Sequence, residues 1–323
     1  MHSINSNFTL NYYYMEHDKG IHHITAIAGN PQQNYDFYTE TLGLRMIKKT
    51  VNFDDIGTFH FYFGDEMGTP GSILTFFPWP RIKQGRPSRG QAVAISFSVP
   101  THSFPFWQEW LKKKNTKFVE PFERFGKKVL GLRDPDGLHL ELVEDPNADD
   151  VEGWAGGPIP PEHAIRAFHG VTLAEEYLAP TGKILEKVLG FEFDSKEDDR
   201  YLYQSNARFG SVVEIIEHAD LKGKAGKGTV HHVAFRAKDE DEQFALMEQL
   251  DIQGIQTTEI IDRQYFRSIY FHEPGGVLFE IATDGPGFDI DESKEHLGEE
   301  LKLPSWLESK RERIQQALPD LQT

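Results

Sequence analysis

The fold of this chain is restricted most by a pattern of elements that recurs four times along its 323 residues. Each copy reads as a strand, a helix and then three strands, and the copies follow one another at intervals of roughly 55 to 70 residues. The helix TGKILEKVLG of copy three is similar to the segment TETLG of copy one, which supports the repeat. Repeats of this kind pack so that each buries the apolar face of a neighbour. We therefore expect an α+β fold built from four βαβββ modules.

A segment rich in proline, glycine and acidic residues divides the four copies into two pairs. This segment, 146–163, has the composition of a linker between domains. We predict one domain at 19–145 from modules 1 and 2, and a second domain at 164–284 from modules 3 and 4. Residues 1–18 are expected to form a flexible extension, and residues 285–323 a tail with a short helix in PSWLESKRERIQQAL.

Charge and cysteine content exclude several classes of function. The formal net charge of −17 would repel a phosphate backbone, so neither nucleic acid nor an anionic membrane is expected as a partner. The chain has no cysteine, which excludes disulfides, thiolate nucleophiles and cysteine-ligated metals. No stretch is apolar enough for a signal peptide or a membrane span, so we expect a cytoplasmic protein. Whether copies associate into a homo-oligomer is left open by these features.

Corresponding positions of the four modules can be compared, because residues two apart on a strand face the same side. The inward position of the first strand is, in modules 1 to 4, His23, Ala94, Gly170 and His232. The last strand, counted from the turn before it, supplies Phe76, Glu141, Glu214 and Glu280. Modules 1 and 4 together offer two imidazoles and one carboxylate, whereas modules 2 and 3 offer no imidazole at these positions. We predict one metal site, formed by His23, His232 and Glu280 where modules 1 and 4 meet.

Two neutral imidazoles and one carboxylate leave several coordination positions of a metal open, as in non-haem Fe(II) oxygenases. Catalysis needs such open positions, while a closed four-ligand cage would be structural. Glu141 and His169 have no partner ligand and are given no role. Seven other histidines are assigned to loops or to solvent and are also given none: His60, His102, His139, His163, His218, His272 and His296.

Several segments resemble those of a known superfamily. GIHHIT, the turn motif DPDGLHLE, its relative EPGGVLFE and the fourfold pattern resemble the vicinal oxygen chelate superfamily. This likeness implies two tandem domains, each an incomplete mixed β-barrel. More closely, LGLRMIKKTVNFDD, FHFYFGDEMGTPGSILTFFPWP, GTVHHVAF and DRQYFRSIYFHEPGGVLFE are similar to hydroquinone ring-cleaving dioxygenases, which include chlorohydroquinone and methylhydroquinone enzymes. The resemblance covers Gly20 to Leu303.

The resemblance implies an Fe(II) enzyme that opens a hydroquinone-type ring with O2, with Mn(II), Zn(II) or Ni(II) as metals that a purified sample could carry. It also implies that His231, Arg263 and Tyr270 act beside the metal, with Thr25 and His22 as further catalytic candidates. His231 or Tyr270 would supply a proton, and Arg263 would stabilise negative charge. Strand alternation agrees for Thr25, which shares a face with the expected ligand His23.

Other functions stay open on the sequence alone. A glyoxalase-like isomerase or thiol transferase would use the same fold with another metal and would consume no O2. A catechol extradiol dioxygenase would share fold and ligands, and differ only in the ring that it takes. A non-catalytic binder of aromatic ligands would carry no stoichiometric metal. Oxygen uptake and metal analysis separate these alternatives.

Overall fold

The computed structural model describes residues 18–217 and 221–323, so the extension expected at 1–18 lies outside the described residues apart from Asp18. Module 1 contains β1 (Ile21–Ala28), α1 (Pro31–Asp36), β2 (Arg45–Asn52), β3 (Asp55–Gly64) and β4 (Ile73–Pro78). Module 2 contains β5 (Gln91–Val99), α2 (Phe104–Lys113), β6 (Phe122–Arg124), β7 (Lys127–Arg133) and β8 (His139–Glu144). The predicted order of strand, helix and three strands is confirmed in both.

The second half of the chain repeats this order. Module 3 contains β9 (Ala167–Ala174), α3 (Leu178–Lys187), β10 (Glu192–Glu197), β11 (Arg200–Gln204) and β12 (Val212–Ile216). Module 4 contains β13 (Thr229–Ala237), α4 (Glu240–Ile252), β14 (Ile261–Asp262), β15 (Phe266–His272) and β16 (Leu278–Pro286). A last helix, α5 (Arg311–Ala317), lies in the tail where a short helix is expected. The α+β fold of four βαβββ modules is therefore confirmed.

Among the described residues, these strands form two mixed sheets of eight strands each, curled into open half-barrels. One sheet has the order β14-β15-β16-β13-β1-β4-β3-β2, and the other has the order β10-β11-β12-β9-β5-β8-β7-β6. Each sheet therefore joins one module from each half of the chain, modules 1 and 4 in the first and modules 2 and 3 in the second. The segment 146–163 divides the sequence into two halves, but each half-barrel is completed across that division.

The join between modules 1 and 4 is the antiparallel pairing of β1 with β13. Ile24 lies opposite Val233, and Thr25 lies opposite His232. Every residue of β1 is buried, and β13 is buried over most of its length. Strands covered on both faces carry nearly continuous apolar runs, which is the character of the sequence around each HisHis pair. The side chains of His23, Thr25 and His232 in this seam are consequently removed from bulk water.

The core is continuous between the two sheets and rich in aromatic rings. One large cluster of buried apolar side chains includes Phe97 and Phe168 of the second sheet together with Phe235 and Phe279 of the first. The rings of Phe97 and Phe168 stack with centroids 5.3 Å apart across the β5–β9 pair. Offset aromatic pairs at this separation add to the free energy gained by burial. The shared core fixes how the two half-barrels sit against each other.

The tail after β16 packs back onto module 1. Lys48 of β2 is fully buried and donates hydrogen bonds to the side chains of Asp291 and Glu292 and to the carbonyl of Phe288. Burying a lysine is costly unless its charge is paired, and the two carboxylates supply that pairing. No helix in the described part of the chain is both long and apolar enough to cross a membrane.

Candidate metal centre

The three predicted ligands come from neighbouring strands of one sheet. His23 lies on β1, His232 on β13 and Glu280 on β16, and these strands are adjacent in the order β16-β13-β1. The parallel pairing of β13 with β16 puts Ala234 beside Glu280, so that His232 and Glu280 face the same side of the sheet. The β1–β13 pairing then brings His23 into reach from the opposite module. The structure brings all three ligands together.

The donor atoms form a small triangle. Nε2 of His232 lies 2.9 Å from Oε2 of Glu280, Nε2 of His23 lies 3.3 Å from the same oxygen, and the two Nε2 atoms are 3.3 Å apart. Ligands bound at about 2.1 Å on one face of an octahedron are separated by about 3.0 Å. The three side chains meet the distance requirement for one divalent ion bound on one face, with the opposite positions free.

The chemistry of the donors also fits a cation. Both Nε2 atoms face Oε2 of Glu280, but neither makes a well-directed hydrogen bond to it, and this oxygen has no other partner among the described residues. All three side chains are at most 5% exposed. Burial alone would raise the pKa of Glu280, but the neighbouring His23 and His232 lower it well below its usual value. Burial lowers the pKa of His232. A buried carboxylate beside two imidazoles is a donor set that suits a divalent cation.

Each ligand imidazole is held by the histidine that precedes it. Nδ1 of His23 lies 2.9 Å from Nδ1 of His22, and Nδ1 of His232 lies 2.8 Å from Nδ1 of His231. An imidazole that binds a metal through Nε2 carries its proton on Nδ1. The preceding ring then accepts a hydrogen bond from this N–H and fixes the orientation of the ligand. Oε1 of Glu280 accepts a hydrogen bond from the Ser268 hydroxyl.

A cavity of about 310 Å³ opens beside the donor atoms. His23 and His232 form part of its wall, and its other walls are largely aromatic, from Phe53, Tyr62, Phe77, Trp79, Phe266 and Tyr270. Aromatic walls that carry several convergent polar groups are typical of a small-molecule site. The free coordination positions of a bound cation would therefore point toward a space suited to a small ring.

Four of the five predicted catalytic residues line this cavity, namely Thr25, His231, Arg263 and Tyr270, and the fifth does not. His22 is buried behind His23 and contacts the ring of Phe266. Burial lowers the pKa of His22 well below its usual value. Its place is that of a partner to a metal ligand, outside the space that a substrate would fill.

His231 and Arg263 differ in charge at the cavity. Burial, followed by the proximity of His232, lowers the pKa of His231 to about 3, so its imidazole is neutral at physiological pH. Arg263 donates from Nε to the Tyr270 hydroxyl over 3.1 Å and from a terminal nitrogen to the Asp54 carboxylate over 3.2 Å. Burial opposes the charge of Arg263, but Tyr270 and Asp54 outweigh burial and raise its pKa. The cavity wall therefore holds a permanent cation, Arg263, and a neutral imidazole, His231.

His60 lines the same cavity, although no role was predicted for it from the sequence. Its Nε2 lies 2.9 Å from the Thr75 hydroxyl and its Nδ1 lies 3.0 Å from the Tyr62 hydroxyl. Treating His60 as a loop or solvent residue was wrong, because it lies in the middle of β3 and its alternation with Tyr62 directs both side chains to the cavity. The alternation of His60 with Tyr62 in the sequence could have identified His60 as a residue of the cavity wall.

The residue of module 1 that corresponds to Glu280 is Thr75, so the choice of Phe76 was wrong by one position. Thr75 pairs with Thr25, two residues after His23, just as Glu280 pairs with Ala234, two residues after His232. The turn before β4 is one residue shorter than the turn before β16. A slip of one residue on a strand moves the side chain to the other face, and Phe76 accordingly points into the core.

The second sheet fills the corresponding position with a protein cation. Glu141 and Glu214 are equivalent to Glu280 by strand pairing, and Arg124 lies between them. The guanidinium of Arg124 donates to Glu141 over 3.0 Å and to Glu214 over 3.1 Å, and Arg200 donates to Glu214 over 2.8 Å. Buried carboxylates need such pairing. Residues 18–217 and 221–323 contain one cluster of three potential metal ligands, formed by His23, His232 and Glu280.

Comparison with known proteins identifies related chains over almost the whole length. The model of the Glyoxalase/Bleomycin resistance protein/Dioxygenase superfamily matches residues 20–142 and 171–281. The ring-cleaving dioxygenase MhqO of Bacillus subtilis is 45% identical over 93% of this chain and 95% of its own length. A chlorohydroquinone/hydroquinone 1,2-dioxygenase of Sphingobium indicum is 34% identical over 94% of this chain and 97% of its own.

Solved structures show the same fold. The crystal structure of a dioxygenase of Bacillus subtilis matches with a TM-score of 0.91 and 44% identity, over 95% of this chain and 99% of the other. Glyoxalase I of Zea mays matches with a TM-score of 0.62 at 16% identity, over 82% of this chain and 92% of the other. The second likeness is one of fold alone.

Proposed function

We propose that this chain, which belongs to the glyoxalase/bleomycin resistance protein/dioxygenase superfamily, is an Fe(II)-dependent extradiol-type dioxygenase that opens hydroquinone-like rings with O2. The observation that carries the proposal is the triangle of two imidazole nitrogens and one carboxylate oxygen at the wall of an aromatic cavity. Relatives that cover more than nine-tenths of this chain are named ring-cleaving dioxygenases, which supports the enzyme class. One of them is named for hydroquinone, which supports the choice of ring.

His23, His232 and Glu280 would hold the metal, which when bound supplies redox chemistry and open positions for the ring hydroxyl and O2. The protein contributes the orientation of these ligands. His22 and His231 fix the two imidazoles, and Ser268 fixes one carboxylate oxygen. Partners of this kind tune both the affinity and the geometry of a metal site.

The aromatic walls bind and orient the ring. Phe77 and Phe266 present apolar faces to the cavity, and burying a ring against them removes apolar surface from water. A ring bound against these walls would displace water from the space beside the donor atoms. Polar groups in such a space interact more strongly than they would in bulk solvent. Ring opening would therefore take place with little competing water beside the ring.

Arg263, Tyr270 and His231 would manage charge and protons in this space. Arg263 is a permanent cation that stabilises negative charge as the ring opens. Tyr270 keeps its proton, because burial and the proximity of Glu280 raise the pKa of its hydroxyl, and it can donate that proton in a hydrogen bond. His231, whose Nδ1 is directed to His232, leaves its other nitrogen to hold a proton toward the substrate.

Oxygen uptake tests the proposal. Protein loaded with Fe(II) without air is mixed with O2 and methylhydroquinone, catechol or no ring, and O2 consumption is followed with an electrode. We expect consumption of one O2 per ring with methylhydroquinone and faster turnover than with catechol. The same protein loaded with Zn(II) should consume none, since Zn(II) has no redox chemistry.

Two variants test the assigned residues. Tyr270→Phe and Arg263→Ala are each expected to lower kcat by roughly 100-fold, the usual cost of removing a group that stabilises developing charge. A control at another surface ion pair, Arg267→Ala, should leave kcat unchanged. Full activity of both cavity variants would refute their roles, and O2 consumption that does not depend on the ring would refute the dioxygenase itself.

A further inference from the structure

The cavity has two polar walls that differ in charge. One wall, from β15 and the loop before it, carries Tyr270 and the permanently charged Arg263. The other wall, from β3, carries Tyr62 and His60. In the sheet order, β15 and β3 lie on opposite sides of the central β13–β1 pair. Corresponding strands of modules 1 and 4 thus line the same cavity, but the strand of module 4 lies beside a charged arginine and the strand of module 1 carries a histidine.

The β3 wall is one end of a continuous chain of hydrogen bonds. The Tyr62 hydroxyl meets Nδ1 of His60 at 3.0 Å, Nε2 of His60 meets the Thr75 hydroxyl at 2.9 Å, and Thr75 meets the Thr25 hydroxyl at 2.8 Å. Tyr62 is 2% exposed, and both Thr25 and Thr75 are buried. The ring of His60 also packs on Phe77 with centroids 4.4 Å apart. The orientation of Tyr62 is therefore fixed by its neighbours.

We infer that the Tyr62 hydroxyl, positioned by His60, binds the ring hydroxyl that does not coordinate the metal, and so selects para-dihydroxy rings over monophenols. This inference rests on the proposed function, because it assumes that one hydroxyl of the ring is bound at His23, His232 and Glu280. Tyr62 is then the residue that touches substrate, and His60 is a positioning residue that acts through it.

The chain of hydrogen bonds suits a hydroxyl because every donor and acceptor along it can exchange roles. If Tyr62 donates to His60, then His60 donates to Thr75, and the Tyr62 oxygen presents a lone pair to the cavity. If Thr75 donates to His60, then His60 donates to Tyr62, and the Tyr62 proton is free for the cavity. A ring hydroxyl is both donor and acceptor, so either arrangement satisfies it. A methoxy or halogen substituent has no proton to donate, so it could only accept a hydrogen bond from Tyr62.

Because the two walls differ in charge, each suits a different end of the ring. The Arg263 wall suits the end at the metal, and the β3 wall suits the opposite end. A ring hydroxyl held at His23, His232 and Glu280 would lie at the end of the ring where negative charge develops, and the cationic Arg263 wall would stabilise that charge. The other hydroxyl stays protonated and neutral, and an uncharged partner binds it without burying an unpaired charge. The β3 wall is uncharged, since burial lowers the pKa of His60 well below its usual value and raises that of Tyr62.

Binding measurements test the inference without turnover. Fe(II)-loaded protein is titrated with hydroquinone and with phenol by calorimetry in the absence of O2, and the ratio of the two dissociation constants is taken. A phenol lacks only the second hydroxyl, so the ratio isolates its contribution. We expect wild type to prefer hydroquinone, and the ratio to fall roughly tenfold in Tyr62→Phe, the usual effect of losing one buried hydrogen bond.

Two further variants distinguish loss of the hydrogen bond from Tyr62 to the ligand from a general defect in the structure. Tyr203→Phe removes the same hydroxyl from a buried tyrosine on β11, the corresponding strand of module 3, and should leave the ratio unchanged. His60→Phe keeps a ring against Phe77 but releases Tyr62, and should lower the ratio as Tyr62→Phe does. A structural defect would weaken both ligands equally and would not move the ratio.

The outcomes are distinct for the two proposals. An unchanged ratio in Tyr62→Phe, or a wild-type ratio near one, overturns the role of Tyr62. If that happens while wild type still consumes O2 with hydroquinone, the proposed function stands without the inference. If wild type neither binds nor turns over hydroquinone, both proposals fall together.

Discussion

Glu280 and Thr75 occupy corresponding positions on the two strands that flank the β13–β1 pair, yet one is a carboxylate and the other a neutral hydroxyl. The carboxylate completes a candidate cation site with His23 and His232. The Thr75 hydroxyl instead joins the hydrogen bonds of His60 and Thr25. In the other sheet, both corresponding residues are carboxylates and Arg124 supplies the cation. The choice of one side chain at a repeated position thus decides what each surface can bind.

Glu280→Gln should lower the affinity for metal, whereas Glu141→Gln should lower the stability of the fold. Glu280→Gln removes the charge that a divalent cation needs, and we expect metal affinity to fall by more than about 100-fold with the fold retained. Metal content after dialysis, with circular dichroism as a check on the fold, measures this. Glu280→Gln that retains one equivalent of tightly bound metal would contradict the ligand assignment.

Glu141→Gln leaves the positive charge of buried Arg124 with one carboxylate fewer. We expect the free energy of unfolding to fall by about 2 to 4 kcal/mol, because an uncompensated buried charge is costly. Urea denaturation measures the change, and metal content should stay at the wild-type level. Loss of metal from this variant, or no loss of stability, would refute the role of Glu141 as the partner of Arg124.

Glu175 should make stability depend on pH. Its side chain is fully buried, and neither carboxylate oxygen has a hydrogen-bond partner among the described residues. Burial, and then the charge of Glu273, raise the pKa of Glu175 from 4.5 to about 8. The folded state therefore keeps this proton where the unfolded state has lost it, and the contribution to stability is lost as pH rises from about 4.5 to about 8.

Glu175→Gln removes this titration. We expect the variant to be more stable than wild type at pH 9 by on the order of 3 kcal/mol, with the difference shrinking toward pH 5. Urea denaturation of both proteins across this range measures it, and Glu259→Gln on the surface serves as the control. A difference that does not vary with pH would exclude the assigned cause.

At the scale of elements, the tail is an integral part of module 1. Lys48 joins β2 to the segment after β16, and α5 places Ile314 in a small cluster with Val51, Leu303 and Leu307. Trp306 packs edge-on against Phe53, whose ring also lines the cavity. The tail therefore supports one rim of the substrate site from outside.

Ile314→Ala tests the contribution of α5. Ile314 is 1% exposed, and its truncation should lower the free energy of unfolding by about 2 to 4 kcal/mol or release the tail locally. Urea denaturation and the rate of tryptic cleavage after residue 302 measure the two outcomes. Ile252→Ala, at a side chain that is 78% exposed, is the control and should change neither. Wild-type behaviour of Ile314→Ala would show that α5 is not anchored.

At the scale of the molecule, the metal centre depends on both halves of the chain. Modules 1 and 4 share one sheet, so His23 comes from the first half while His232 and Glu280 come from the second. Each half alone would leave the pairing edges of β1 and β5, or of β9 and β13, exposed as unpaired strands. The two halves cannot be independent units of function.

Expression of residues 18–155 and 156–323 as separate chains tests this dependence. We expect neither chain alone to bind one equivalent of metal, because neither offers the full ligand set, and co-expression to restore binding at one site. Metal analysis and gel filtration of each preparation measure the outcome. A second half that bound metal tightly by itself would refute a site shared between modules 1 and 4.

The repeat, the module order and the three candidate ligands could all be predicted from the sequence. These follow from local alternation and from the comparison of equivalent strands, since a side chain's face is set by its position on its own strand. The lack of cysteine also limited the metal donors to histidine and carboxylate. The resemblance added His231, Arg263 and Tyr270, which the structure places at the cavity.

The tertiary structure decided what depends on pairing between distant segments. The union of module 1 with module 4, the place of Thr75 in register, the cavity role of His60 and the filling of the second site by Arg124 all depend on which strands meet and at what offset. A strand's own residues fix which side each faces, but not the neighbour beside it. For that reason, the candidate ligands could be predicted from single strands, whereas the walls around them could be described only from the fold.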